Sequence, residues 1–80
     1  MQKIRVKMNP KDFKGNALHI MNMFVQNARN QQFDMKEINQ IVDDAVSRDY
    51  NHFLKTIAIH SSLDEIYNEE TDSIVSVKSL

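Results

Sequence analysis

One stretch, Gln32-Phe33-Asp34-Met35-Lys36-Glu37-Ile38, carries two helix-start signals at once. Asp34 is a capping residue type, and Glu37 stands three positions on, where its carboxylate can return to the N–H of the cap. Phe33 before the cap and Ile38 at the fourth helical position form an apolar staple across the same boundary. A start marked this strongly divides the middle of the chain into two helices and gives the frame for the rest.

Upstream, Asn16 is a good cap for a helix running from about Ala17 to Arg29. There Ala17, Ile20, Met21, Phe24, Val25 and Ala28 follow the three-and-four spacing of one apolar stripe. The second helix, Met35 to about Ser47, places Ile38, Ile41, Val42 and Ala45 inward. Asp49 is a third cap, for a helix with Tyr50, Phe53, Leu54, Ile57, Ala58 and Ser61 on its stripe. The link Ser47-Arg48-Asp49 is short, so the second and third helices pack as neighbours.

The two ends read differently. Lys3-Ile4-Arg5-Val6-Lys7-Met8 alternates strictly, which predicts a half-buried strand ended by Asn9-Pro10. Beyond Ser62 the helical period fails, because Asp64, Glu65 and Asn68 would fall on the buried stripe, and Ser62 to Glu70 reads as at most one helical turn. Ile74-Val75-Ser76-Val77 is β-prone and is expected to pair with the N-terminal strand, since a lone strand leaves its N–H and C=O groups unsatisfied. The expected fold class is therefore α+β: an N-terminal strand, three amphipathic helices and a C-terminal strand at 74–78 beside the first. It forms a single domain with a helical core at about 16–62 and an acidic segment at 63–73.

Eighty residues make a domain near the lower limit of what one apolar core can stabilise. With no Cys, neither disulfides nor thiolate metal sites can supplement that core, and self-association is the natural expectation. The charge is polarised: residues 1–14 hold five cations against Asp12, while residues 62–80 hold five carboxylates against Lys78. The acidic tail argues against dedicated duplex DNA binding, since it competes for the same cations. No apolar run approaches membrane-spanning length and no signal peptide opens the chain, which predicts a soluble cytoplasmic protein.

Gly15-Asn16-Ala17 and Asp49-Tyr50-Asn51-His52-Phe53-Leu54 resemble small uncharacterised proteins of bacteriophages and prophages, over roughly residues 13–57. Those proteins tend to have Gly where Arg48 stands and Asp where Asn51 stands. The resemblance implies an accessory phage protein, acting in the cytoplasm of a host cell, that binds and neutralises a component of antiviral defence. Its target would be a host protein or a nucleotide-derived signal.

Two clusters suit a ligand. Lys11, Lys14, Gly15 and Asn16 place two cations ahead of a helix N-terminus, whose free N–H groups favour phosphate. The alternative reading leaves Asn16 a plain cap and the lysines solvated. Arg48, Tyr50 and His52 offer a cation, a stacking ring and an imidazole at another helix start, although Asp49 already occupies that end and Tyr50 also continues the apolar stripe. Asp43 and Asp44 diverge by about 100° on a helix and do not converge on one cation. His19 and His60 lack ligand spacing, so no metal or cofactor is expected. No Gly-x-Ser-x-Gly and no Cys is present, which speaks against an enzyme.

Leu18 and Met23 lie off the first helix's main stripe, and Val25 and Ile59 widen the apolar arcs of theirs. Apolar helix flanks on so small a domain predict an interface, with a second copy or a partner protein. A nucleic-acid-binding regulator using the basic N-terminal face and Lys55 is the alternative function.

Overall fold

The computed structural model of the chain describes residues 5–69 and 71–79. An extended segment leads into one 3₁₀ turn, Pro10–Phe13. Three helices follow: α1 (Ala17–Asn30), α2 (Met35–Ala45) and α3 (Tyr50–His60). A hairpin of β1 (Glu65–Asn68) and β2 (Ser73–Ser76) comes next, and a second 3₁₀ turn spans Val77–Ser79.

All three helices start where the caps predict. The Asn16 side chain accepts the His19 N–H at 2.9 Å, Asp34 that of Lys36 at 3.1 Å, and Asp49 that of His52 at 2.9 Å. Each bond satisfies one donor that the first turn leaves orphaned. Glu37 makes no return bond and stays exposed, so only half of the expected capping box forms. The staple residues reach the core, with Ile38 fully buried and Phe33 packed against it. Ahead of α1, Gly15 adopts φ +115°, and a Cβ there would lie 3.0 Å from the His19 ring, so both conformation and space favour glycine.

Two helices end by the same device. After α1, Gln32 donates to the Arg29 carbonyl at 3.0 Å and Phe33 to that of Ala28 at 3.1 Å. After α3, Ser62 donates to Ile59 at 3.3 Å and Leu63 to Ala58 at 3.2 Å. These are paired Schellman ends, each with an apolar residue following the left-handed one. The left-handed position is held by Gln32 (φ 66°) and Ser62 (φ 59°) rather than by glycine. The second helix stops at Ala45, two residues short of the expected Ser47.

The core takes side chains from every part of the chain. Val6, Phe13, Ile20, Phe24, Ile38, Leu54, Ile57 and Ile66 are all essentially inaccessible to water. Burying one such side chain contributes about 1.5–3 kcal/mol, so a domain this small depends on each of them.

The ends depart from expectation. Lys3 and Ile4 lie outside the described residues, and residues 5–9 are extended but belong to no sheet. Their faces follow the alternation, with Val6 buried and Arg5 and Lys7 exposed. Their hydrogen bonds go to helix ends instead of a strand: the Val6 N–H donates to the His60 carbonyl at 2.7 Å. Lys7 is paired through its own N–H and C=O with the side-chain amide of Gln31. These bonds tie the segment to the ends of α1 and α3, and the C-terminal strand finds its partner elsewhere.

That strand pairs locally instead, antiparallel to β1, with Glu65 opposite Ser76, Ile66 opposite Val75, Tyr67 opposite Ile74 and Asn68 opposite Ser73. The expected helical turn at 62–70 is thus replaced by β1, and the strand expected at 74–78 covers Ser73–Ser76. Ile66 and Val75 form the inward pair that docks the hairpin. The 3₁₀ turn Pro10–Phe13 packs along β1.

Candidate functional site

A groove opens at the base of the hairpin, where α3, the N-terminal segment and both strands meet. Ile59, Leu63 and Val77 give it apolar walls, and Arg5, Lys55 and Lys78 add cations. Asp64 and Glu65 line its β1 side. The Schellman end of α3 positions Leu63, and the bond from the Val77 N–H to the Asp64 carbonyl, 2.8 Å, holds Val77 opposite. Arg5 is placed by a 3.0 Å bond from its guanidinium to the Ser62 hydroxyl. Among the described residues, Arg5, Lys55 and Lys78 form no ion pair.

Of the residues singled out from sequence, Asn16 and Tyr50 come together: with Ala17 and Glu69 they line one shallow hollow. The carboxylate of Glu69 at its edge opposes an anion there. Lys14 turns toward the hairpin, its Nζ 5.8 Å from the centroid of the Tyr67 ring, while Lys11 stands exposed on the 3₁₀ turn. Arg48 is exposed. The Tyr50 ring stacks on Phe53 at 6.1 Å and 19° and is half-buried, so it serves the core as well as the hollow.

His52 is not the free surface imidazole its position suggests. Its Nε2 lies 3.0 Å from the Asp44 carbonyl oxygen, 3.5 Å from the Asp44 carboxylate and 3.3 Å from the hydroxyl of buried Thr56. The short link from α2 brings the first turn of α3 back onto the last turn of α2, and the imidazole bridges them.

Of the expected interface residues, Leu18 is 62% exposed and Ile59 is 40% exposed. Met23 and Val25 are half-buried, and Val25 also packs against the core. Met35, Val46 and Ile74 are exposed apolar side chains that helical periodicity did not single out. The groove itself was not legible, because its walls come from three distant parts of the chain and depend on the local hairpin register.

Tyr67 donates to the Asp72 carboxylate across the hairpin turn. This bond, with some desolvation and the negative charges of Asp72 and Glu69, raises the phenol above its ordinary pKa. Among the described residues no group of three or more His, Cys, Asp or Glu is arranged to hold a metal ion. No described helix is long and apolar enough to cross a membrane.

The family model for nitrogen fixation protein NifW matches residues 1–80. No curated protein and no solved structure matches the chain. The family match overturns the resemblance to bacteriophage and prophage proteins, which rested on two short patterns at helix starts. Both of those patterns are capping sequences, and capping recurs wherever a helix must begin. With that resemblance fall the viral setting, the host cell as compartment and the role of neutralising antiviral defence through a host protein or a nucleotide-derived signal. The alternative of a nucleic-acid-binding regulator gains no support from the match either. Along its whole length, the chain belongs to the NifW family of nitrogen fixation proteins.

Proposed function

We propose that this protein serves nitrogen fixation without catalysing a reaction, by binding a nitrogenase component and stabilising it. The observation that carries the reading is the family match over residues 1–80. The surface supports a binding role. Leu18, Met35, Val46, Ile59 and Ile74 keep between 40% and 62% of their area exposed, which is much apolar surface for an 80-residue chain. A partner protein that covers some of it gains apolar burial without any rearrangement of the core.

Self-association is a second partner reading, favoured by α1. Leu18 and Val25 are seven residues apart and so share one face of that helix.

The test is the lifetime of nitrogenase activity. Purified nitrogenase component is incubated with and without this protein, and its residual activity is followed over time. Slower decay in the presence of the protein, at stoichiometric amounts, is the expected result. Identical decay curves, with no complex by light scattering, would remove the proposal.

A further inference from the structure

Among the described residues, the outer edge of β2 is open. In the register 64–77, 66–75 and 68–73, the Val77 N–H bonds to the Asp64 carbonyl, which makes these the hydrogen-bonded pairs. The N–H and C=O groups of Ile74 and Ser76 therefore point away from β1, along the outer edge of β2. The 3₁₀ turn Pro10–Phe13 packs against β1, whereas among the described residues no element packs comparably against β2 beyond β1 itself. The Ser76 carbonyl already accepts from the Ser79 hydroxyl at 2.7 Å. That leaves the Ile74 N–H, the Ile74 C=O and the Ser76 N–H facing outward, with the exposed Ile74 side chain beside them.

Ser76, Val77 and Lys78 continue from this edge directly into the groove at the hairpin base. On the α3 and β2 sides the groove carries Lys55 and Lys78, with Arg5 near them, and none of the three is ion-paired among the described residues. Its carboxylates, Asp64 and Glu65, sit on the β1 side. We infer that the open edge of β2 and the cationic side of this groove together receive one extended segment of a partner protein, in which apolar residues alternate with Asp or Glu. Backbone pairing at Ile74 and Ser76 would supply affinity, the apolar walls Ile59, Leu63 and Val77 would take the alternate side chains, and Lys55, Lys78 and Arg5 would select the charge. A helix cannot use this surface, since its own backbone groups are already bonded internally. This inference rests on the proposed binding of a nitrogenase component and specifies the surface that does it.

The test uses the full chain, isotope-labelled, and a capped hexapeptide of alternating Glu and Val as probe. Amide hydrogen exchange at Ile74 and Ser76 is expected to slow about tenfold or more on adding the peptide, while amides already paired within the hairpin, such as Val75, change little. Ile74→Pro removes an N–H that the hairpin does not use, so the fold tolerates it while peptide binding is lost. The pair Lys55→Glu and Lys78→Glu, on the surface and away from the core, weakens the peptide about tenfold. Unchanged exchange at Ile74 and Ser76, equal binding of a Lys–Val hexapeptide, or full binding by the charge-reversed variant would each overturn the inference. Binding of a nitrogenase component by Ile74→Pro as tightly as by the unaltered chain would overturn this surface and leave the proposed function standing. Peptide protection at Ile74 and Ser76 without any nitrogenase complex would support the edge and remove the proposed partner.

Discussion

The side-chain amide of Gln31 pairs with the peptide group of Lys7 as a neighbouring strand would: the Lys7 N–H donates to Oε1 at 2.9 Å, and Nε2 donates to the Lys7 carbonyl at 3.1 Å. One glutamine at the end of α1 thus replaces a ladder partner, and it ties the N-terminal segment to the helices. The Val6 N–H to the His60 carbonyl completes the attachment from the side of α3.

Replacing Gln31 by Leu keeps the size and removes both bonds. Because the pair is exposed, the expected cost is about 1 kcal/mol. For a domain of this size that lowers Tm by about 4–8 °C, measurable by thermal circular dichroism. Exchange at Val6 and Lys7 should accelerate more than exchange in α2, which distinguishes a loosened N-terminal segment from general destabilisation.

Gln32 holds a left-handed conformation (φ 66°) that glycine adopts without strain. Gln32→Gly is therefore expected to stabilise the protein by about 0.5–1 kcal/mol, against the usual direction for glycine near a helix. A chemical denaturation midpoint below that of the parent would show that the Gln32 side chain contributes more than its backbone strain costs.

The hairpin belongs to the core through Ile66, which is fully buried, while Ile74 on the partner strand is 48% exposed. Ile66→Ala is expected to cost about 2–5 kcal/mol and leave little folded protein at 37 °C. Ile74→Ala should fall within about 0.5 kcal/mol of the parent. Equal small effects at both positions would mean that the hairpin is an appendage rather than part of the core.

Tyr67 has a raised pKa, chiefly because its hydroxyl donates to Asp72, then through desolvation and the charges of Asp72 and Glu69. A folded pKa above the unfolded one means the neutral phenol is the form the fold favours. Its contribution is fully present below the ordinary tyrosine value of about 10 and is lost as pH rises through the folded value. The prediction is read from phenolate absorbance in a Tyr50→Phe background, which leaves Tyr67 as the remaining tyrosine. Its titration should lie above that of a free tyrosine, and Asp72→Asn should bring it down.

The helices were legible because their apolar spacing and three caps, Asn16, Asp34 and Asp49, point to the same boundaries. Their ends were less so: Gln32 and Ser62 stand where glycine would have marked the stop. The N-terminal alternation correctly assigned Val6 inward and Lys7 outward, yet it carries no information about what bonds the backbone. The hairpin was hidden because its two four-residue strands bury only one side chain completely, Ile66, while Val75 and Tyr67 are partly buried and Ile74 is exposed. The sequence between them, Glu69-Glu70-Thr71-Asp72, is charged and contains no glycine. The groove depends on that hairpin and so was hidden with it. The NifW family model spans residues 1–80, far more of the chain than the two helix-start patterns that suggested a phage protein.

The proposed binding of a nitrogenase component is read by mixing the two purified proteins and weighing the product by size-exclusion chromatography with light scattering. The expected result is a new species whose mass equals the component plus one or more copies of this 9.4 kDa chain. Two unshifted peaks at concentrations well above micromolar, for every nitrogenase component tried, would contradict it.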